Sequence, residues 1–161
     1  MKGAHKRKDF QISQFQKLGL KVNFMDATKP HDIPHLLEKF KYSWARPLRD
    51  AEIALTHSHL RAWRYSIKKN CPILILEDDV VLCASLPTIL ETISARTDLE
   101  LIQLETFNQQ KLLSKKSDYL NVGDYHLHKL HRDRGGAAAY FIWPRTAEKL
   151  ALSIQKSYPP A

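Results

Sequence analysis

The apolar residues of this chain follow two spacings that alternate along the sequence, one typical of helices and one typical of strands. Helical spacing and capping residues predict helices over residues 5–18, 32–40, 50–69, 85–96 and 144–154. Strand patterns cover residues 20–25, 73–76, 99–104 and 137–143, with one or two short strands within 119–130. This alternation predicts an α/β fold, a three-layer α/β/α sandwich with a largely parallel central sheet.

The strand predicted over residues 73–76 leads directly into three carboxylates, Glu77, Asp78 and Asp79. Four consecutive apolar residues are typical of a strand buried on both faces, whereas unpaired charges are too costly to bury. The acids are therefore predicted at the C-terminal end of this strand, where open α/β sheets bind ligands. Crowded carboxylates raise one another's pKa unless a cation joins them, and a divalent cation carrying a diphosphate suits them. A solvated acidic turn is the alternative interpretation.

The predicted helix over residues 50–69 places polar residues on or beside its apolar stripe. That stripe consists of Ile53, Leu60, Trp63 and Ile67. His57 shares the stripe, because it lies one helical turn from both Ile53 and Leu60. It is either a core histidine with a satisfied hydrogen bond or a ligand. Ser58 and His59 lie beside the stripe and face the next layer or a cleft.

Glycines and histidines nearer the C-terminus offer two further candidates. Gly135 and Gly136 precede three alanines. Glycines allow a backbone to approach a bulky group closely, and they also allow tight packing alone. His126 and His128 share one face of a predicted strand, so this pair is a candidate for metal binding or for another of histidine's roles.

Composition limits the classes of protein that fit. A chain of 161 residues suffices for one domain with a single core, and 43% hydrophobic with 26% charged residues is typical of a soluble globular protein. No apolar run approaches the roughly 20 residues of a membrane span, and residues 1–10 lack the apolar region of a signal peptide. Cys71 and Cys83 lack metal-ligand spacing and favour a reducing compartment, which points to the cytoplasm.

The formal net charge of +8 suits an anionic partner, such as nucleic acid, an anionic membrane surface or a phosphorylated substrate. The basic clusters are spread along the chain and are not interleaved with aromatic residues, and no nucleic-acid-binding motif is present. We therefore expect no nucleic-acid partner, while peripheral association with an anionic membrane surface stays open.

Several short motifs, taken together and in order, resemble glycosyltransferase family 25, the lipooligosaccharide galactosyltransferases of Gram-negative bacteria with collagen galactosyltransferases as distant relatives. The motifs are Glu52-Ile53, Ser58-His59-x-x-x-Trp63, Leu76-Glu77-Asp78-Asp79-Val80, Gly136-Ala137-Ala138-Ala139-Tyr140 and Ala147-Glu148-Lys149-Leu150. The basic run Lys6-Arg7-Lys8 and the pair Asp26-Ala27 also fit the family's opening. The resemblance covers nearly the whole chain, and its specificity lies in the combination of the second and third motifs.

The resemblance implies a GT-A-like fold and a metal-dependent, inverting transfer of a hexose, most often galactose from UDP-galactose, to a lipooligosaccharide or LPS glycan acceptor. It implies that Asp79 and Asp78 ligate Mn²⁺ or Mg²⁺. The nucleotide-sugar-binding residues that it implies are Glu77, Asp78, Ser58, His59, Gly135 and Gly136. Inversion needs a carboxylate base on the acceptor side, to which no residue is assigned. The implied location is cytoplasmic, peripheral at the inner membrane of a Gram-negative bacterium.

Compared with the family pattern, the chain is expected to be shortened at both ends, without a strand before the first helix and without an acceptor-side region after residue 161. Two alternatives to an active transferase therefore stay open. One is a truncated or degenerate relative that binds a nucleotide without catalysis, and the other is a basic module that binds an anionic surface. Binding of UDP with Mn²⁺ would distinguish a transferase or a nucleotide-binding relative from a basic surface-binding module. Sugar transfer would identify the active enzyme.

Overall fold

The computed structural model describes residues 2–42, 46–105, 110–116, 121–122, 125–133 and 136–157. Within these ranges the α-helices are α1 Lys2–Lys17, α2 Pro34–Phe40, α3 Asp50–Lys69, α4 Leu86–Ser94 and α5 Pro144–Ser157. The strands are β1 Ile73–Leu76, β2 Leu101–Gln103, β3 Leu112–Leu113, β4 Asn121–Val122, β5 Tyr125–His126, β6 Leu130–Arg132 and β7 Ala139–Ile142. The chain divides into two compact units, the first formed by Met1–Asn23 and Leu74–Phe141 and the second by Phe24–Ile73 and Ile142–Ala161.

Strand β7 lies between β1 and β2 in a three-stranded sheet. The N–H of Glu77, just after β1, donates to the carbonyl oxygen of Ala138, just before β7 (2.8 Å). The N–H of Leu104, just after β2, donates to the carbonyl oxygen of Ala139, at the start of β7 (3.0 Å). Each bond joins the end of one strand to the start of β7, so β7 runs antiparallel to both neighbours. The prediction of a largely parallel sheet is wrong for the pairs β1–β7 and β7–β2, which are antiparallel. Strands β1 and β2 run in the same direction, but β7 lies between them.

The first unit also contains two short antiparallel strand pairs, β3 with β6 and β4 with β5. Strand β3 falls within residues 111–118, where the sequence pattern predicts a polar loop. Its two leucines are exposed. A two-residue strand is too short to leave a recognisable alternation, so only its pairing with β6 reveals it.

Helix α1 contributes one buried face to the first unit. Gln11 and Phe15, which are four residues apart, are both buried. The helix ends in a Schellman motif around Gly19, whose φ is +66°. The N–H of Leu20 donates to the carbonyl oxygen of Phe15 (2.9 Å), and the N–H of Gly19 donates to that of Gln16 (3.2 Å). The predicted C-terminal bound of this helix, residue 18, is therefore confirmed to within one residue.

In the second unit, α3 packs against both α2 and α5, and it spans the residues that the sequence pattern predicts. At its start the Glu52 carboxylate accepts a hydrogen bond from the N–H of Arg49 (2.8 Å) and pairs with Arg46 (2.6 Å). Asn70, with a φ of +48°, ends it in the left-handed conformation. The core beside α2 consists of Ile33, Ile53 and Ala54, with Leu36, Leu37, Phe40 and Leu48 packed against it.

Two local predictions are wrong. Leu20 and Val22 are half-buried between exposed neighbours, but residues 20–25 form no strand. An extended segment becomes a strand only by hydrogen bonding to a partner, and the described residues supply none here. The helix predicted over residues 32–40 begins only at Pro34, with Ile33 and not Asp32 at its N-cap position. The Asp32 carboxylate accepts a hydrogen bond from the N–H of Lys29 (3.0 Å), within a 3₁₀ turn over Pro30–Asp32.

Candidate functional site

The three acids predicted at the end of β1 do follow that strand directly. Glu77 is half-buried, whereas Asp78 and Asp79 are exposed. Burial raises the pKa of the Glu77 carboxyl, and the negative charges of Asp79, Glu105 and Asp78 raise it further. Unfavourable crowding of carboxylates, which the sequence suggested, is therefore present at Glu77.

Glu105 is a fourth acid at this place, and the sequence reasoning missed it. It follows β2 closely, as Glu77 follows β1, and its carboxylate accepts a hydrogen bond from the N–H of Ala138 (3.2 Å). Because β1 and β2 flank the start of β7, the ends of both strands bring their acids to one edge of the sheet. We call Glu77, Asp78, Asp79 and Glu105 the acidic edge. The sequence did contain a signal for this residue, because Glu105 directly follows the strand predicted over residues 99–104.

Gly136 makes the acidic edge possible by lacking a side chain. Its φ is +105°, and a Cβ at this position would collide with the carboxylate of Glu105. The close approach that the glycine allows is therefore to Glu105, which is one of the two roles left open by the sequence. Binding of a nucleotide sugar at Gly136 stays a prediction, and Gly135 lies outside the described residues.

Gln103 offers an unused acceptor near Gly136. Its side-chain amide donates to the carbonyl oxygen of Gly136 (2.8 Å). Its own oxygen, Oε1, is buried without a hydrogen-bond partner in the described part of the chain. A buried acceptor normally finds a donor, and the described residues supply none to this atom.

Asp78 is paired with a residue of α1. The Arg7 guanidinium lies 2.9 Å from the Asp78 carboxylate, and the two side chains are 45% and 53% exposed. A pair this exposed contributes about 0–1 kcal/mol to stability, so its main effect is to orient Asp78 and offset part of its charge. Arg7 belongs to the basic run near the N-terminus, 71 residues from Asp78, and no local pattern predicts the pair.

Two glutamines of α1 hold the backbone that follows the acids. The Gln11 amide donates to the carbonyl oxygens of Val80 (2.8 Å) and Asp78 (3.2 Å). The Gln14 amide donates to Val80 (3.0 Å), and its oxygen accepts from the N–H of Leu82 (2.8 Å). Gln11 is only 3% exposed. These bonds fix the course of residues 78–82 against α1, and we call them the glutamine clamp.

The carboxylates at the acidic edge have the chemistry that a hard divalent cation prefers. No group of three or more His, Cys, Asp and Glu side chains converges as a metal site within the described ranges. Mg²⁺ is commonly held by one or two carboxylates together with substrate phosphates and waters. The exposed Asp78 and Asp79 fit that mode, and metal binding by them stays a prediction.

Ser58 is used within the second unit. Its hydroxyl accepts a hydrogen bond from the N–H of Thr28 (2.9 Å) and donates to the carbonyl oxygen of Ala54 (3.0 Å). The Thr28 hydroxyl lies 3.0 Å from Nδ1 of His57. These contacts connect the segment before α2 to α3. His57 therefore has a hydrogen-bond partner within the protein, as expected for a histidine with a structural role.

His59 is buried in the second unit, with 8% of its surface exposed. Burial lowers the pKa of its imidazole, so the neutral ring is favoured in the folded protein. The acidic edge belongs to the first unit, whereas Ser58 and His59 belong to the second, and nucleotide-sugar binding by these two residues stays a prediction.

His126 and His128 interact with each other edge-on, with ring centres 6.5 Å apart. Nδ1 of His128 lies 3.2 Å from the carbonyl oxygen of Ser114. A carbonyl oxygen only accepts, so this nitrogen carries the proton and donates. That bond occupies one of the two ring nitrogens available for a metal.

The model of one protein family, glycosyltransferase family 25 (LPS biosynthesis protein), matches residues 1–160. A comparison with curated proteins gives no significant match. In the described part of the chain, no helix has the length and apolar character needed to cross a membrane.

Proposed function

Because the chain belongs to glycosyltransferase family 25, we propose that it transfers a hexose, galactose in the first instance, from a UDP-sugar to a lipooligosaccharide or LPS glycan. The family description supports glycosyl transfer in LPS biosynthesis. We propose in addition that the donor sugar is galactose, that transfer depends on a divalent metal, and that the configuration at the sugar carbon is inverted. A GT-A-like fold and a cytoplasmic location, peripheral at the inner membrane, belong to the proposal as well.

The observation that supports this function most directly is the acidic edge. Glu77 and Glu105 come from two strand ends on either side of β7, and Asp78 and Asp79 adjoin Glu77. In the proposed site Asp79 and Asp78 would hold Mn²⁺ or Mg²⁺. A bound cation there would neutralise negative charge on the departing diphosphate.

The chain's own residues prepare that site in two ways. The glutamine clamp holds the backbone after the acids, and Arg7 orients the Asp78 carboxylate. Burial and the negative charges of Asp79, Glu105 and Asp78 raise the pKa of the Glu77 carboxyl, and a cation bound beside it would relieve that repulsion.

The decisive experiment is a screen of UDP-sugars for hydrolysis and transfer, with Mn²⁺, with Mg²⁺ and with a chelator. Metal-dependent hydrolysis of one UDP-sugar, and its transfer to a lipooligosaccharide glycan, are the expected results. Thermal stabilisation by UDP and Mn²⁺ without turnover would instead identify a non-catalytic nucleotide-binding relative. Absence of both, together with binding to anionic vesicles, would identify a basic surface-binding module and overturn the proposal.

A further inference from the structure

The second unit contains a cavity of about 450 Å³ that the proposed transfer does not use. Pockets that bind small molecules fall in the same range, roughly 300–1,000 Å³. The apolar lining of this cavity, which we call the apolar wall, includes Phe40, Leu48, Ile53 and Leu60. Three of these four residues, Phe40, Leu48 and Ile53, also belong to the core beside α2. The apolar wall is therefore held in place by core packing.

Basic side chains line the same cavity. His35 and Lys39 lie one helical turn apart on α2, and His57 and Arg64 lie two turns apart on α3. The Lys39 ammonium is 5.9 Å from the centre of the Phe40 ring, so cation and apolar wall adjoin. No carboxylate lines the cavity, and within the described ranges none pairs with His35, Lys39 or Arg64.

The pKa of His57 is affected by the positive charges around the cavity. Burial lowers the pKa of its imidazole, and the positive charges of Arg64, Arg61 and His35 lower it further. Arg64 and Arg61 lie on α3 and His35 lies on α2, the two helices that supply most of the cavity lining. A cation is therefore unfavourable at this place, and an anion would be attracted.

We propose that this cavity binds an amphiphilic anion, an aliphatic chain that ends in a phosphate group. The chain would lie against Phe40, Ile53 and Leu60, where burial of apolar surface favours binding. The phosphate would lie among His35, Lys39 and Arg64, which supply charge-assisted hydrogen bonds. A neutral aliphatic molecule would leave the cations unused, and inorganic phosphate would leave the apolar wall unused. This inference goes beyond the transfer reaction and does not depend on it.

Calorimetry on the full chain with octyl phosphate, octanol and inorganic phosphate tests the two halves of the proposal separately. Octyl phosphate should bind at least tenfold more tightly than either of the other two compounds. Octanol binding as tightly as octyl phosphate would overturn the anionic half. Inorganic phosphate binding as tightly would overturn the apolar half, and the absence of octyl phosphate binding would overturn both.

A matched pair of variants locates the phosphate. Lys39→Gln/Arg64→Gln should weaken octyl phosphate binding at least tenfold. Lys68→Gln/Lys69→Gln removes the same charge from the exposed end of α3, away from the cavity lining, and should leave the affinity unchanged. Equal loss in both variants would mean that net charge alone attracts the ligand, and would overturn the assigned site. All four residues are exposed, so we expect both variants to fold.

The His57 resonance gives a readout that does not depend on affinity. A phosphate bound among His35, Lys39 and Arg64 offsets their positive field, so the pKa of His57 should rise when octyl phosphate is added. The imidazole C–H signals of His57, followed by NMR between about pH 5 and pH 8, measure that change. A His57 pKa that stays unchanged at saturating octyl phosphate would place the ligand elsewhere and refute the proposal.

Discussion

The carboxylate of Glu105 lies in the space that a Cβ on residue 136 would occupy, so Gly136 and Glu105 depend on each other. The same carboxylate accepts the N–H of Ala138 (3.2 Å), which draws the start of β7 towards the end of β2. The glycine that the sequence offered as a ligand-binding feature thus accommodates an acid of the chain itself.

Gly136→Ala should destabilise the protein by about 1–3 kcal/mol, because a φ of +105° is unfavourable for alanine and the Glu105 carboxylate must also move away from the added Cβ. Gly19→Ala is a matched control, since Gly19 also has a positive φ but no atom within 4 Å of the added Cβ. It should cost only about 1–2 kcal/mol. Urea unfolding measures both. In Gly136→Ala/Glu105→Ala the clash is relieved, so part of the loss should be recovered. Equal losses in the two single variants would contradict the close approach.

Gln11→Ala should cost about 1–3 kcal/mol, because it leaves the carbonyl oxygen of Val80 with one donor fewer and opens a gap beneath α1. Gln16→Ala, at an exposed position of the same helix, should change stability by less than about 0.5 kcal/mol. Calorimetry on folded Gln11→Ala should also show weaker binding of UDP with Mn²⁺, since the acids lose part of their support. Unchanged UDP affinity would limit the glutamine clamp to a structural role.

Asp79→Asn should strongly weaken Mn²⁺-dependent UDP binding, because it removes a formal charge from the proposed metal site. Without metal the same substitution should be neutral or stabilising, since Asp79 raises the pKa of Glu77 by repulsion. Titration calorimetry at saturating Mn²⁺ measures the first effect, and thermal unfolding with a chelator measures the second. Asp9→Asn, an exposed position on α1, serves as the control. If Asp79→Asn binds UDP as tightly as the parent, Asp79 is not the metal ligand.

Glu77→Gln should make the metal-free protein more stable at about pH 7. The raised pKa means that the folded state binds the Glu77 proton more tightly than the unfolded chain does. The ionised form is therefore a cost above the folded pKa, and this cost disappears as the pH falls below the ordinary value of about 4.3. The stability difference between variant and parent should thus shrink towards about pH 4. Urea unfolding between about pH 4 and pH 7 measures this difference in the free energy of unfolding, with Glu91→Gln at an exposed position as the control. A difference that does not change with pH would refute the assignment of the effect to the raised pKa of Glu77.

His59→Ala tests the nucleotide-sugar assignment on α3. Loss of a buried ring should lower the melting temperature, as should Ser66→Ala, which removes a buried hydroxyl that donates to the carbonyl oxygen of Cys71 (2.7 Å). Under the proposed function, only His59→Ala should also lower UDP affinity per folded molecule. Calorimetry at a temperature where both variants are fully folded makes the comparison. Equal UDP affinities would leave His59 as a core histidine.

Features with local causes were predictable from the sequence. The bounds of α3 follow from a continuous apolar stripe that ends at Asn70, and the exit of Glu77 from β1 follows from the cost of burying charge. Features made by distant residues were not. Arg7 and Asp78 meet across 71 positions, and Glu105 and Ala138 across 33. The predicted strand over 20–25 failed for the same reason, because pairing depends on a partner that a single segment does not reveal.

The position of β7 has a consequence for the order in which the protein assembles. Strand β1, α4 and β2 follow one another along the chain and can begin to associate through nearby contacts. Strand β7 arrives from much later in the sequence and inserts between β1 and β2, and closing so long a loop is slow. An early folding species would therefore carry Glu77 and Glu105 without the backbone of Ala138 between them. Because the acidic edge exists only when β7 is paired with both β1 and β2, a ligand that requires it binds only molecules in which this sheet is formed, and so stabilises the folded state.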